Sequence, residues 1–453
     1  MNDDAPHVAT IRQSGRWPDR ALGLVLATRL LAVLAGPVTL YLVATRRTLP
    51  EQGFFFVLVN VQALASLVEL GVGTIVVQFI SHESPSLHWR RDGALDGEPA
   101  ALERALGVVR QGWRWYGILA LLLLLAVPVG LGAFDAAAAR AGVSFAAAWT
   151  VVVVGTAAYL PLVPLLCTLE GAHGLLRVQS MRLVQSTTAI LALWIGLVGV
   201  GALEAVSMFA LCWLVIPAAW LLWKHRAFVA QALRARSSEP SLAAAQWRTG
   251  GIWLVLWAAP QLLPQLVLAA RGAADAGRIG MSLAIATAPV TLAGAWLQSR
   301  YPQYAATLAR SGRQALDDLA RRAGARALGV CALGGMAATG AAWLIHRFLP
   351  RFSDRLLSPA LVAALCATGL GWIAIHALAA YLRAERREPL FAGAALGAGL
   401  TIVATAFAAP RGAEIATLVY SLAVLALAVP IVSIAFRAER AKRVDVRPDV
   451  SGD

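Results

Sequence analysis

The sequence is poor in charge and in the residue patterns of common catalytic sites. Only 14% of its 453 residues are charged and 59% are apolar, whereas about a quarter of the residues of an ordinary soluble domain are charged. The seven histidines are scattered, and neither an H-E-x-x-H nor a Walker A sequence occurs. The predicted outer loops are short, and the longest spans 347–359. None is large enough to form a domain that would bind and orient the acceptor substrate of a transferase, polymerase or ligase. The sequence therefore predicts a protein that is not an enzyme and has no cofactor.

Cysteine is scarce as well, and its placement excludes two kinds of site. Four cysteines lie inside predicted apolar helices without any C-x-x-C spacing: Cys167, Cys212, Cys331 and Cys366. Such residues are most simply small apolar packing groups. The sequence predicts no disulfide framework and no metal site.

Long apolar stretches are what the sequence has in abundance. A membrane-spanning helix needs about 20 mostly apolar residues, and twelve stretches meet that need: 21–45, 52–80, 113–134, 144–169, 180–202, 205–224, 250–270, 277–299, 327–346, 357–382, 390–409 and 412–436. The first 20 residues are polar and do not form a signal peptide, so helix 1 is expected to be the retained insertion signal. The predicted fold class is an all-α polytopic membrane protein with about twelve transmembrane helices.

The twelve stretches form two sets of six with similar punctuation. Each set opens with a proline-interrupted apolar helix, at 29–43 and 253–268, followed by a short acidic-Gly link, Glu51-Gln52-Gly53 or Asp275-Ala276-Gly277. Interrupted helices at matching positions of two halves point to a transport pathway between them. The predicted organisation is two six-helix bundles around a central cavity, with these parts: a cytoplasmic tail at 1–20, bundles at 21–224 and 250–436, a cytoplasmic linker at 225–249 and a second tail at 437–453.

Basic residues set the orientation. With the N-terminus inside, the inner segments carry 29 Lys and Arg residues and the outer segments nine, while Arg29 lies within helix 1, which accounts for all 39. This bias predicts that both termini are cytoplasmic. The net charge of +14 is then explained by membrane orientation and by contact of the inner segments with anionic lipids. No nucleic-acid partner is predicted. Two basic inner segments, 99–113 and 313–323, have helical apolar spacing and are expected to form amphipathic helices on the cytoplasmic face or solvated helical linkers.

Two charges within helices are the main candidates for a functional site. Arg29 lies roughly 12 Å along helix 1 and Glu69 roughly 16 Å from the inner end of helix 2, so the two can meet near mid-membrane. An ionisable group in hydrocarbon is costly unless it is paired or faces water. In one interpretation the two form an ion pair that holds helices 1 and 2 together. In the other, Arg29 binds an anionic group in a central cavity, and Glu69 changes its protonation state or promotes release of that group. The planar guanidinium suits a phosphate.

Other candidates serve gating, coupling or guidance of an anion. Pro37, Pro260 and Pro264 are expected to interrupt helices 1 and 7, and Pro161 and Pro164 to interrupt helix 4, which permits bending. His376 is a candidate proton-linked site, or else a hydrogen-bonded packing residue. Arg271 and Arg300 are candidates for guiding or binding an anion, or else residues at helix ends whose side chains reach the membrane surface.

Several segments resemble a known family. They are `LPEQGFFF` at 49–56 after the early Arg and Gly-Pro break, `ELG` at 69–71, and the links `LEGAHGLLRVQSMRLVQ` at 169–185 and `YLRAERREP` at 381–389. With these features the chain resembles the Wzx-type polysaccharide biosynthesis proteins of the multidrug/oligosaccharidyl-lipid/polysaccharide (MOP) exporter superfamily. The match is densest over the first 83 residues.

The resemblance implies an alternating-access flippase of the bacterial inner membrane that moves a polyprenyl-pyrophosphate-linked oligosaccharide or a related polysaccharide intermediate, such as an O-antigen or exopolysaccharide precursor. Its partners would be that lipid-linked glycan and the bilayer, with a glycan polymerase and glycosyltransferases alongside. One alternative is a cation-coupled multidrug exporter of the same superfamily, although Glu69 is the only well-buried acidic candidate for holding a cation. Another is a membrane-embedded glycan polymerase or ligase.

Overall fold

The structure is a computed structural model that describes residues 17–68, 73–235, 258–383 and 390–441. The N-terminal half, here residues 17–235, consists of ten helices and one hairpin within the described residues: α1 (Trp17–Arg46), α2 (Leu49–Val68), α3 (Thr74–Glu83), β1 (Leu87–Trp89), β2 (Leu95–Gly97), α4 (Pro99–Leu124), α5 (Ala126–Ala141), α6 (Phe145–Tyr159), α7 (Val163–Leu169), α8 (Leu175–Gly199), α9 (Ala202–Lys224) and α10 (Arg226–Arg234).

The C-terminal half, here residues 258–441, is helical throughout its described part. Its helices are α11 (258–271), α12 (Ala273–Gln298), α13 (Tyr301–Phe348), α14 (Pro350–Ser353), α15 (Pro359–Arg383), α16 (Phe391–Ala408), α17 (Ala413–Ala423) and α18 (Val429–Ala441). Most of the predicted linker and of both predicted tails lies outside the described residues, at 1–16, 236–257 and 442–453, so those domain boundaries stay predictions.

The length, composition and exposed surface of the helices confirm the predicted fold class, an all-α polytopic membrane protein. Within the described residues, nine helical stretches are long and apolar enough to cross a membrane. Large apolar side chains cover much of their surface; for example, Leu34, Val129 and Phe407 are 67%, 68% and 74% exposed. A soluble monomer rarely exposes so much contiguous apolar surface. The count of twelve spans stays a prediction, because the predicted helices 52–80 and 250–270 extend into undescribed residues.

The helices bring the basic segments to one end of the molecule, here called the basic end. There Arg104 pairs with Glu83 at 2.7 Å, and Asp317 accepts hydrogen bonds from Tyr381 and Arg440. The opposite end holds the remaining helix ends. Arg47, after α1, donates to the carbonyl oxygen of Leu197 at 2.6 Å at the end of α8. This arrangement of ends is the one that the loop pattern of the sequence predicts.

The predicted interruption of helix 1 at Pro37 is wrong, whereas the two segments predicted to be amphipathic are helical, as expected. Helix α1 is continuous through Pro37; a proline costs one helical hydrogen bond, and a helix can continue across that loss when its surroundings hold it. The segment 99–113 is the first part of α4, and 313–323 belongs to α13, which bends at Gly312 with φ +75°. In both cases helical propensity continues from the polar segment into the apolar one, so the two form one helix.

The hairpin at the basic end is not predicted by the sequence analysis. Its strands pair antiparallel with Leu87 opposite Gly97 and Trp89 opposite Leu95. Gly93, in the turn, has φ +81°, and a Cβ there would lie 2.2 Å from the carbonyl oxygen of Lys224. Both the conformation and the close approach therefore require glycine at this position.

Candidate functional site between the halves

The two halves meet where the repeated acidic-Gly links of the sequence lie. Both links are helical, because α2 begins at Leu49 and α12 at Ala273. The backbone N–H and hydroxyl of Thr48 both donate to the Glu51 carboxylate at 2.8 Å, which is a helix-capping arrangement. The predicted turns are therefore the first turns of these helices.

Glycines let these first turns approach closely. A Cβ on Gly53 would lie 2.0 Å from the carbonyl oxygen of Ala273, and one on Gly277 would lie 2.9 Å from that of Leu49. One turn deeper, a Cβ on Gly280 would lie 2.5 Å from the Phe56 side chain. This close contact of α2 with α12 is here called the seal, and it consists of residues 49–56 and 273–280.

A buried glutamine links the seal to a third segment. Gln52 is fully buried, and its Nε2 donates to the carbonyl oxygens of Gly277 at 2.8 Å and Arg355 at 3.1 Å. Arg355 Nη1 donates back to Gln52 Oε1 at 3.3 Å. Burial lowers the pKa of Arg355, and the negative charge of Glu51 opposes that shift. One side chain thus holds α2, α12 and the α14–α15 link together.

Replacing Gln52 by alanine tests this link. The change removes the hydrogen bonds to one buried and one partly buried carbonyl group, and a buried acceptor left unsatisfied costs about 1–3 kcal/mol. We expect a lower thermal midpoint in detergent and faster labelling of cysteines placed at the opposite end. Gln78→Ala is the matched control, because Gln78 is exposed on α3. Equal effects of the two substitutions would contradict a sealing role for Gln52.

The hydrophobic core at the opposite end is shared by the two halves. It contains residues from both: Val43, Phe54, Phe55, Phe145, Trp149, Val152, Leu197 and Val206 from one, and Leu268, Ala273, Ala276, Met281 and Leu356 from the other. Deeper along α2, Asn60 Nδ2 donates to the carbonyl oxygen of Gln261 on α11 at 3.3 Å. The inter-half contact therefore extends from the opposite end toward the middle of the molecule.

The cores toward the basic end are not shared. Among the described residues, one cluster contains only N-terminal residues such as Ile80, Tyr116 and Leu166, and another contains only C-terminal residues such as Leu297, Cys331 and Ile373. Within the part of the chain that the structure describes, the halves are thus joined at one end and packed separately at the other.

Arg29 is exposed on α1. Among the described residues it has no hydrogen bond or ion pair, whereas its neighbour Thr28 donates to the carbonyl oxygen of Leu24. Glu69 lies outside the described residues, so the predicted pair stays a prediction. Arg29 precedes Arg46 by 17 residues, or about 25 Å along the helix, which places it toward the basic end.

The structure does not gather the other candidates around Arg29. Arg271 is at the opposite end, where its Nε lies 3.6 Å from Asp275. Arg300 is at the basic end, stacked 4.4 Å above the ring of Trp296. His376 is half-buried in α15. Each has a local environment of its own, so a shared anion site of these residues is not assembled in this conformation.

The prolines of helix 4 lie at a change of helix geometry. Helix α6 ends at Tyr159, a 3₁₀ turn containing Pro161 follows, and Pro164 is in the first turn of α7. Trp113 Nε1 donates to the carbonyl oxygen of Pro161 at 2.7 Å, so an indole satisfies a carbonyl at the break. In contrast, α11 continues through Pro260 and Pro264, so the predicted interruption of helix 7 at these two prolines is wrong.

Sequence reasoning missed Gln52, Arg355 and Asn60 as inter-half contacts. The repeated acidic-Gly link was the available signal, because it marked the helix starts that form the seal. The described ranges contain no group of three or more His, Cys, Asp or Glu residues positioned to hold a metal ion.

Comparison with known proteins relates this geometry to transporters. No protein-family model and no curated protein matches the chain. Three solved structures are similar: an inward-facing multidrug resistance MATE family transporter of the MOP superfamily (TM-score 0.59, 14% identity, covering 96% of this chain and 99% of that one); the lipid II flippase MurJ in an inward closed conformation (0.58, 11%, 92% and 87%); and a MOP superfamily transporter from Pyrococcus furiosus (0.56, 15%, 94% and 94%). The chain has the two-lobe helical fold of these transporters.

Proposed function

We propose that the protein is a MOP-superfamily flippase that translocates a polyprenyl-pyrophosphate-linked oligosaccharide, or a related polysaccharide intermediate, across the bacterial inner membrane. The observation that carries this proposal is the confinement of the shared core to one end of the two halves. A carrier that works by alternating access needs two bodies that contact each other at one end at a time. The similarity in fold to a lipid II flippase supports the same function class.

The orientation follows from the basic end. We assign that end and both termini to the cytoplasm, because positive charge is retained on the inner side of a membrane. The sealed end then faces outward, and the structure corresponds to a state that admits substrate from the cytoplasmic leaflet. The first structure compared above is also described as inward-facing.

Arg29 is our first candidate for the pyrophosphate. It is exposed toward the basic end of α1 and has no polar partner among the described residues. Its guanidinium presents two parallel N–H donors, which match a phosphate better than a single ammonium does. In this proposal the glycan crosses between the halves while the polyprenyl tail stays in lipid, and a glycan polymerase and glycosyltransferases act before and after the step.

A multidrug exporter is the second candidate, because the first structure compared above is a multidrug resistance transporter. The sequence favours the flippase over this alternative through an arginine within helix 1 and the family-like segments. The absence of catalytic signatures in the sequence disfavours a polymerase or ligase.

A deletion strain tests the function directly. Loss of the protein should remove surface glycan and leave lipid-linked oligosaccharide accumulated on the cytoplasmic leaflet, where an added membrane-impermeant lectin or glycosidase does not reach it in intact spheroplasts. Complementation with the wild-type gene is the control. Normal glycan display together with increased sensitivity to cationic drugs would support the exporter instead.

A further inference from the structure

A cavity of about 1280 Å³ opens at the basic end of the N-terminal half, separate from the seal. Its walls come from three places: the turn of the hairpin, the first turns of α8, and the end of α9 with the start of α10. Among the described residues, none of the C-terminal half lines it. It is therefore distinct from the pathway between the halves.

The hairpin wall is fixed firmly in place. The Trp89 ring contacts the rings of His225 and Phe228 edge-on, at centroid distances of 5.4 and 5.3 Å, and its Nε1 donates to the carbonyl oxygen of Ala172 at 2.6 Å. Gln231 exchanges two hydrogen bonds with the backbone of Leu95, at 3.0 and 3.1 Å. The hairpin is thus docked on α10 and on the turn before α8, and the cavity has a preformed shape.

The rim of the cavity is strongly basic. Five of its residues are cationic, and one is acidic: Arg90, Arg91, Arg177, Lys224 and Arg226, with Asp92. Arg90 lies near Asp92 at 3.3 Å and Asp96 at 3.9 Å, whereas Arg91, Arg177 and Arg226 have no ion pair among the described residues. Burial, together with the charges of Arg177 and Lys224, lowers the pKa of His225. The rim therefore presents several uncompensated positive charges around an open space.

The deeper wall of the cavity is apolar. Val184 follows Arg177 by seven residues on α8, and Ile216 precedes Lys224 by eight on α9, so the wall extends about 10–12 Å from the charged rim along the two helices. Both helices belong to stretches long and apolar enough to span the membrane. Val184 is 57% exposed, and the neighbouring Val215 is 54% exposed. The cavity thus joins a cationic mouth to an apolar groove on the same helix pair.

We propose that this cavity binds an anionic glycerophospholipid of the surrounding bilayer, with the phosphate at the Arg177–Arg226 rim and the acyl chains against Val184 and Ile216. Basic pockets between transmembrane helices suit anionic headgroups, and the indoles of Trp220 and Trp223 suit the interfacial depth. A soluble anion would use the rim alone and leave the apolar wall unoccupied. Because every described lining residue belongs to one half, we assign the site to a resident lipid and not to the transported substrate.

Thermal unfolding of the purified full chain in a mild neutral detergent tests the proposal. We expect phosphatidylglycerol and cardiolipin to raise the unfolding midpoint saturably, and phosphatidylcholine and inorganic phosphate to leave it nearly unchanged. Native mass spectrometry of the same samples should show one retained anionic lipid per chain.

Two variants locate the effect. Arg177→Gln with Arg226→Gln should weaken the lipid response roughly tenfold or more, since each basic residue near an anionic headgroup contributes to binding. The matched control is Arg321→Gln with Arg322→Gln, which removes the same charge from exposed positions in the C-terminal half. Ser180→Trp, which fills the cavity from the α8 wall, should abolish the lipid response while preserving the midpoint without lipid; it also serves if the double variant fails to fold.

Three outcomes would overturn the proposal. An equal shift with inorganic phosphate would assign the rim to a soluble anion. A much tighter response to a polyprenyl phosphate than to the phospholipids would make it a substrate site. An undiminished lipid response in the Arg177/Arg226 or Ser180 variants would place the lipid elsewhere on the protein. None of these outcomes would overturn the flippase proposal, which the deletion strain tests separately.

Discussion

Gly53→Val is expected to separate the two halves at the opposite end. The added side chain would begin 2.0 Å from the carbonyl oxygen of Ala273, and a backbone atom cannot move aside as the tip of a flexible side chain can. Overpacking of a buried contact costs about 1–3 kcal/mol, so we expect the balance between sealed and open states to change by roughly ten- to a hundredfold. On the proposed alternating-access mechanism, glycan export should fall as well, because the sealed state is one of the two states that the transport cycle requires.

The measurement is the distance between spin labels at Arg46 and Ser358, which are exposed in different halves near the seal. The four native cysteines are first replaced by alanine; three of them are buried and none forms a disulfide in the structure. Gly340→Val is the matched control, because a Cβ on Gly340 has no atom within 4 Å. An unchanged label distance in a folded Gly53→Val protein would show that the seal does not hold the halves together.

Arg29→Ala is expected to abolish surface glycan at normal protein levels. If Arg29 binds the pyrophosphate, the variant loses two charge-assisted hydrogen bonds, each contributing about 1.5–3 kcal/mol, so substrate binding should weaken on the order of a hundredfold or more. Arg29→Lys should be partly active, because an ammonium keeps the charge and loses the paired geometry.

The readouts are surface glycan, membrane protein level and accumulated lipid-linked glycan, measured together in the complemented deletion strain. Arg46→Ala is the control, since it removes an exposed arginine at the other end of the same helix. Wild-type glycan display in Arg29→Ala would remove this residue from the substrate site. Reduced protein level with normal activity per molecule would instead indicate a structural role.

The fold was predictable because it depends on local patterns. Apolar length identifies the spans, and the repeated acidic-Gly link marks the starts of α2 and α12. Helix continuity was harder to predict: α4, and α13 beyond its bend at Gly312, each join a polar segment to an apolar one in a single helix. Hydropathy separates segments that helical propensity joins. The hairpin has strands of three residues each, too short for an alternating pattern to be read from sequence.

The site was predictable only in part, because its contacts are distant in sequence. Gln52 and Arg355 are 303 residues apart, and hydropathy gives no sign that they meet. Arg29 stood out because a charge in an apolar helix is costly wherever it lies. Gln52 did not, because a glutamine at a helix start has many ordinary explanations; its role depends on Gly277 lying opposite it.

The shared core at the opposite end also favours one conformation, the one in which that end is closed. Leu268 and Leu356 of the C-terminal half are buried, at 0% and 2% exposure, in a cluster composed mostly of N-terminal residues. Opening that end to water would expose such side chains, and each fully exposed leucine costs about 1.5–3 kcal/mol. On the proposed alternating-access mechanism, the protein without substrate should therefore rest with this end closed, and opening of this end would have to be driven by the bound substrate or by an ion gradient.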